Sequence, residues 1–159
     1  MTYAANLSRR GFLTSMAGLL LAMPALAATA LPAILVHRDP SCGCCGGWIE
    51  HLRQAGFPVA VVETAGLQPV RARLGVPDAL AACHTGEVAG YVVEGHVPAA
   101  AIIRLLAELP AATGLAAPGM PIGSPGMEVA GFEPATFEVV LFGPLGQKVF
   151  GKYRGVEAV

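Results

Sequence analysis

Short apolar runs alternate with segments of helical apolar spacing along most of the chain. Such runs predict strands, and apolar positions that recur with a helical period predict helices. Five strands are predicted, at residues 33–37, 59–62, 88–93, 137–142 and 148–153. Three helices are predicted, at residues 48–55, 67–74 and 99–109. Residues 114–128, where Gly and Pro recur around two methionines, predict an ordered loop.

The order of these elements indicates the fold class. Strand and helix alternate over residues 33–109, which favours an α/β fold with a mixed sheet and helices on its faces. A Cys-rich turn at residues 42–47 lies between the first strand and the first helix, a position typical of thioredoxin-like proteins. The last two strands, joined by a turn at residues 143–146, are expected to form a C-terminal β-hairpin that extends the sheet.

The N-terminal segment has the pattern of an export signal. Arg9 and Arg10 precede an apolar stretch over residues 12–28, as in a twin-arginine signal. That stretch falls short of the roughly 20 apolar residues of a spanning helix, and Gly18 and Pro24 interrupt it. The alternative is an uncleaved membrane anchor, which these flanking residues disfavour.

A cleavage site is expected at residues 25–27, which read Ala-Leu-Ala. Residues 1–27 are therefore predicted to be a signal peptide, and residues 28–159 to be one thioredoxin-like metal-binding domain. The predicted location is the periplasm, reached by the twin-arginine route, with no stable membrane insertion after cleavage. Because that compartment is oxidising, exposed thiols there are expected to be paired, metal-bound or redox-active.

Composition excludes several classes of protein. Apolar residues make up 54% of the chain and charged residues 13%, which excludes a disordered polyelectrolyte. The formal net charge is −1, so no basic surface is available for nucleic acid, and no nucleic-acid partner is expected. The chain has no Gly-rich phosphate loop, paired-carboxylate motif or nucleophile elbow.

The four cysteines are the most informative residues. Cys42, Cys44 and Cys45 lie within four positions, and Cys42 with Cys45 forms a nested C-x-x-C that could act as a redox pair. At a helix N-terminus the unpaired N–H groups favour the thiolate, which is the form that binds metals and exchanges disulfides. Cys83 precedes the third predicted strand, and we expect that loop to face the Cys-rich turn. Four thiolates in one pocket would select Cu(I), Zn(II) or an iron–sulfur centre.

Methionine and histidine refine the choice of metal. Met120 and Met127 are flanked by Gly or Pro, and thioethers are soft ligands that suit Cu(I). His84, next to Cys83, is a candidate ligand or a donor to a ligand. His37 and His96 are further candidates at the ends of predicted elements. His51 is expected on the solvent face of the first helix and is left out of the predicted site.

Four motifs in the same order resemble the exported copper-resistance proteins of the CopG type. They cover roughly residues 33–153, and they are Pro40-Ser41-Cys42-Gly43-Cys44-Cys45-Gly46-Gly47-Trp48, Cys83-His84-Thr85, residues 90–98 and residues 118–128. The resemblance implies a thioredoxin-like fold, Cu(I) bound by the Cys-x-Cys-Cys motif and Cys83, and a role in periplasmic copper tolerance. The implied partners are copper ions, one or several per chain, and other periplasmic copper-handling proteins.

Three interpretations of the cysteines remain open from the sequence. The first is a Cu(I)-binding protein. The second is an oxidoreductase that uses Cys42 and Cys45 as catalytic thiols, either on disulfides or in a thiol-linked change of copper oxidation state. The third is a structural zinc site, which the adjacency of Cys44 and Cys45 disfavours. An iron–sulfur centre ranks last.

Overall fold

A computed structural model describes residues 30–159, together with Met1. The predicted signal peptide, residues 1–27, and its cleavage site lie outside the described part apart from Met1, and both stay predictions. The eight strands are β1 (Ile34–Arg38), β2 (Val59–Glu63), β3 (His84–Val88), β4 (Tyr91–Gly95), β5 (Gly114–Ala117), β6 (Thr136–Gly143), β7 (Gly146–Arg154) and β8 (Glu157–Ala158). The helices are α1 (Gly43–Gln54), α2 (Gln68–Leu74) and α3 (Ala99–Glu108), with a short 3-10 helix at Asp78–Leu80. None of these helices is long and apolar enough to cross a bilayer.

All eight strands form one mixed sheet in the order β2-β1-β3-β4-β5-β6-β7-β8. The pairs β1–β2 and β4–β5 are parallel, and the other neighbours are antiparallel. The predicted mixed α/β sheet with flanking helices is therefore confirmed. The last long strands form the predicted hairpin, because β6 pairs with β7 from Thr136–Arg154 to Gly143–Gly146.

One strand prediction and one loop prediction are wrong in detail. Residues 88–93 are not one strand, because Ala89 and Gly90 adopt positive φ angles of 47° and 86° and turn the chain from β3 into β4. The predicted loop at 114–128 begins with strand β5, which pairs with β4 on one side and β6 on the other. This short strand, Gly-Leu-Ala-Ala, lacks the β-branched and aromatic residues by which strands are recognised in a sequence.

Helices cover both faces of the sheet. The main core lies between one face and helices α1 and α3, and it is built around fully buried Trp48, Leu52, Ile102 and Leu105. A smaller core on the other face contains Val76, Leu80, Val92, Ala116 and Phe142, next to α2. The two cores bury the apolar side chains of β4 on both faces of the sheet. This packing holds β4 in place, and site residues lie at the end of that strand.

One end of the sheet collects four connections. The Cys-rich turn follows β1, and Cys83 precedes β3, which is antiparallel to β1. His96 follows β4, and residues 118–135 follow β5, which is parallel to β4. Strand direction therefore brings all four segments to the same end of the sheet, although they are far apart in sequence.

Candidate metal centre

The Cys-rich turn forms the start of α1. The helix begins at Gly43, five residues before the predicted start, and Cys42 is its N-cap residue. Cys44 and Cys45 consequently lie in the first helical turn, where backbone N–H groups have no partner within the helix. A turn held by Asp39 leads into the helix, because its carboxylate accepts hydrogen bonds from the Ser41 amide at 2.9 Å and from the Ser41 hydroxyl at 2.5 Å.

The four sulfur atoms converge on one point. They lie within 4.8 Å of one another, and we call Cys42, Cys44, Cys45 and Cys83 the thiol cluster. The sulfur of Cys44 is 3.5 Å from that of Cys42 and 3.7 Å from that of Cys83. The sulfur of Cys45 is 3.6 Å from that of Cys83. The predicted proximity of Cys83 to the Cys-rich turn is confirmed by these distances.

Two of the four cysteines are paired in this structure. Cys42 and Cys45 form a disulfide, whereas Cys44 and Cys83 are free and half-buried. The nested C-x-x-C is therefore geometrically competent to form a disulfide. A disulfide sulfur is not a thiolate ligand, so all four cysteines could bind one metal centre only after this bond is reduced.

The environment of Cys83 opposes the free thiolate. Burial first, and then the nearby Cys44, raise the pKa of the Cys83 thiol to about 12. Cys83 does not lie at a helix N-terminus. It therefore lacks the stabilisation of the thiolate by unpaired N–H groups that we expect for the Cys-rich turn. A metal ion would have to displace the proton from this sulfur on binding.

Two histidines face Cys83. The Nδ1 atom of His84 is 3.4 Å, and the Nε2 atom of His96 is 3.5 Å, from the Cys83 sulfur. These three residues form a second group whose ligand atoms lie within 4.8 Å of one another, and we call it the His–thiol group. Burial is the main cause that lowers the pKa of His84, to about 3, and that of His96. Burial thus favours the neutral imidazole at both residues, which is the form that binds metals.

Hydrogen bonding fixes the orientation of the His96 ring. Its Nδ1 atom is 2.8 Å from the Pro125 carbonyl oxygen, which can only accept, so we assign the proton to Nδ1. Its Nε2 atom then presents a lone pair toward Cys83. The His84 Nε2 atom is buried and has no hydrogen-bond partner among the described residues. His84 also packs on Trp48, with ring centroids 4.2 Å apart.

The remaining histidines lie outside both groups. His37 is hydrogen-bonded to Glu87 at 2.9 Å, and neither group contains it. The expectation that His51 faces solvent is wrong. His51 is half-buried, and its Nε2 atom accepts a hydrogen bond from the Ala99 amide at 3.0 Å, at the N-terminus of α3.

Met120 and Met127 lie on the loop that approaches this end of the sheet. Met127 is half-buried and follows Gly126, which packs directly on Gly47 and on the Cys44 carbonyl in the first turns of α1. Met120 is 44% exposed and has a positive φ angle of 46°. Their role as ligands stays a prediction.

Glu94 belongs to the site although no motif in the sequence assigns it a role. Its carboxylate is fully buried and accepts hydrogen bonds from the Ala82 amide and the Thr85 hydroxyl, both at 2.6 Å. Burial raises the pKa of this carboxyl, while the two hydrogen bonds and Arg71 act in the opposite direction. The available signal was a single carboxylate at the end of an apolar run, two residues before His96.

Comparisons with known proteins agree with this geometry. Residues 80–127 match a family model described as a protein of unknown function, DUF411. A comparison with curated proteins gives no match. Among solved structures, the chain is similar to form 1 of the copper resistance protein CopG, with 46% identity and a TM-score of 0.71 over 79% of this chain and 99% of that one. Form 2 of the same protein gives the same identity and TM-score over 77% and 98%.

Identity at this level, spread over almost the whole of a solved relative, goes well beyond a shared fold. The family model over residues 80–127 includes Cys83. The chain therefore belongs to the CopG family of copper resistance proteins.

Proposed function

We propose that this protein binds Cu(I) in the periplasm and contributes to copper tolerance. Cys42, Cys44, Cys45 and Cys83 are the proposed ligands, after reduction of the Cys42–Cys45 disulfide. The observation that carries the proposal is the convergence of four sulfur atoms within 4.8 Å. The copper resistance proteins to which the chain is similar support the choice of metal.

The chemistry of the donor atoms favours Cu(I) over zinc. Thiolates and thioethers are soft ligands, and Met120 and Met127 are proposed as additional donors from the neighbouring loop. Because Cys44 and Cys45 are adjacent, they suit a cluster with bridging thiolates better than a closed zinc tetrahedron. Bridging also allows four sulfurs to hold more than one copper ion. His84 is the proposed nitrogen ligand at the edge of this site.

The proposed location rests on the N-terminal sequence. A twin-arginine signal at residues 1–27 would export residues 28–159 in the folded state. The Cys42–Cys45 disulfide is compatible with an oxidising compartment. Within that compartment we propose exchange of copper with other periplasmic copper-handling proteins. The C-x-x-C at the start of α1 after strand β1 supports a thioredoxin-like classification of the domain.

The disulfide favours a second candidate function, a thiol-linked copper oxidoreductase. Two Cu(II) ions would each accept one electron, and the Cys42 and Cys45 thiolates would together supply two electrons and form one S–S bond. The products are two Cu(I) ions and the disulfide, so charge and electrons balance. Cys44 and Cys83 would remain as thiolates to hold the Cu(I) formed.

Anaerobic titration with Cu(I) against a competing chelator tests the first function. We expect the reduced protein to bind Cu(I) in competition with the chelator, and zinc to be displaced by copper. The matched control is the same protein with the Cys42–Cys45 disulfide intact, which should bind more weakly because two sulfurs are withdrawn. Equal binding by reduced wild type and the C42S/C45S double variant would refute the proposed ligand set.

A further inference from the structure

Three consecutive residues, at the end of strand β4 and just after it, hold the segment that carries Cys83. Glu94 accepts a hydrogen bond from the Ala82 amide. Gly95 leaves room for the Ala82 side chain, because a Cβ atom at Gly95 would lie 2.9 Å from the Ala82 Cβ. His96 approaches the Cys83 sulfur to 3.5 Å. Residues 94–96 thus contact the Cys83 segment through a carboxylate, a backbone and an imidazole.

Glu94 reaches beyond the end of the strand pairing. The β3–β4 ladder pairs Thr85 with Glu94, and β3 itself begins at His84. The Ala82 amide therefore lies before the strand and has no partner in this ladder. One oxygen of Glu94 supplies that partner at 2.6 Å, and the other accepts from the Thr85 hydroxyl at 2.6 Å. The carboxylate holds the chain on both sides of Cys83.

Cys83 is the residue whose position matters most to the site. Its sulfur lies within 3.7 Å of Cys44, Cys45, His84 and His96, and it is shared by the thiol cluster and the His–thiol group. Burial of a carboxylate is costly unless donors and a counter-charge compensate for it. The two hydrogen bonds and Arg71, whose Nε atom is 3.9 Å away, supply that compensation here.

From these contacts we propose that Glu94 is a positioning residue, which holds the Cys83 sulfur in reach of Cys44 and Cys45. The expected effect of Glu94 on copper affinity rests on the proposed function. Its expected effect on the position of the Cys83 sulfur does not. Glu94 is not itself a proposed ligand, because both of its oxygens already accept hydrogen bonds within the protein.

The direct test is cross-linking of the two free thiols in metal-free protein. Dibromobimane becomes fluorescent when it bridges two nearby thiols, and Cys44 and Cys83 are free with sulfurs 3.7 Å apart. We expect rapid cross-linking in wild type and at least about tenfold slower cross-linking in Glu94→Leu. A loss of this size is typical when a residue that holds a metal ligand in place is removed. A merely structural role would lower the unfolding temperature but would leave this rate unchanged at temperatures where the variant is folded.

Two conservative variants serve as controls. In Glu94→Gln the amide oxygen can accept from Ala82 and the amide NH₂ can donate to the Thr85 hydroxyl, so cross-linking should stay within about threefold of wild type. Glu87→Gln changes a carboxylate of the neighbouring strand that bonds His37 and Arg73 instead, and it should leave the rate unchanged.

Cu(I) titration of the same variants, after reduction of the Cys42–Cys45 disulfide, separates the two proposals. Glu94→Leu should weaken Cu(I) binding by about 10- to 100-fold, and Glu94→Gln should preserve it. Slow cross-linking in Glu94→Leu without Cu(I) binding by wild type would refute the proposed function and leave the role of Glu94 intact. Wild-type rates and affinity in Glu94→Leu would overturn the role of Glu94. If circular dichroism indicates that Glu94→Leu is unfolded, Thr85→Val takes its place, because it removes one of the two hydrogen bonds that Glu94 accepts. An unchanged cross-linking rate in Thr85→Val would also overturn the proposal.

Discussion

The two halves of the thiol cluster are built in different ways. Cys42, Cys44 and Cys45 are positioned locally, by the turn at Asp39 and by the first turn of α1. Cys83 is positioned by residues distant in sequence, among them Glu94 and His96 from the end of β4. The local half can form a disulfide by itself, whereas the distant half supplies the free thiol that both candidate ligand groups share.

This difference implies an unequal dependence on each sulfur. Cys42 contacts the cluster through Cys44 and through its disulfide partner. Cys83 has four potential ligand neighbours within 3.7 Å. A site completed by Cys83 should therefore lose more when this residue changes than when one member of the Cys-rich turn changes.

The largest expected effect is that of Cys83→Ser on Cu(I) binding. Because a hydroxyl is a poor ligand for a soft ion, reduced Cys83→Ser should bind Cu(I) more than about 100-fold more weakly than wild type, beyond the loss typical of outer-shell changes. Reduced Cys42→Ser is the matched variant and should lose less. Competition titrations measure both, and an equal or larger loss in Cys42→Ser would contradict the unequal roles of the two halves.

A smaller effect is expected at the contact between the methionine loop and α1. Gly126 has a φ angle of 85°, and a Cβ atom there would lie 2.8 Å from the Cys44 carbonyl oxygen. Gly126→Ala should lower the free energy of unfolding by at least about 2 kcal/mol, since the left-handed backbone and the packing clash each oppose the methyl group by about 1 kcal/mol or more. Denaturant unfolding measures this loss.

Gly131→Ala is the control for backbone strain alone. Gly131 has a similar φ angle of 83°, and no atom lies within 4 Å of a Cβ placed there. Gly131→Ala should lower the free energy of unfolding by about 1–2 kcal/mol, the cost of the left-handed backbone conformation alone. If both variants lost the same stability, the close packing of the loop on α1 would not contribute.

The smallest effect concerns Glu87, on the sheet face away from the cysteines. Hydrogen bonding to Arg73 is the main cause that lowers the pKa of Glu87, with His37 contributing. The stability that this carboxylate provides is therefore present above its unfolded pKa and is lost as the pH falls through the lower, folded pKa. Glu87→Gln should reduce the acid-side pH dependence of unfolding by no more than about 1 kcal/mol. An unchanged pH profile would mean that these ion pairs do not stabilise the fold.

The sequence predicts the local half of the site better than the distant half. Cys42, Cys44 and Cys45 are recognisable because their chemistry depends on spacing within one helical turn. The hairpin at Ala89 and Gly90 was missed because the apolar positions of β3 and β4 run together across the turn. Because the predicted strand merges β3 with β4, the sequence gives no reason to expect Glu94 on the Cys83 segment, although His96 is a predicted candidate ligand.

Strand β5 and His51 illustrate the same limit. Gly114–Ala117 has no β-branched or aromatic residue, and β4 and β6 supply its strand hydrogen bonds on both sides. Helical spacing predicts that His51 faces solvent, but α3 brings the Ala99 amide to its ring. In both cases the hydrogen-bond partner comes from a distant part of the chain, and local sequence patterns do not reveal that contact.

Anomalous scattering at the copper edge from crystals of the reduced, Cu(I)-loaded protein tests the central claim most directly. We predict copper bonded to the Cys83 sulfur and to sulfurs of the Cys-rich turn at the end of β1. Copper bound elsewhere, with the Cys83 sulfur outside bonding distance of any ion, would contradict the account.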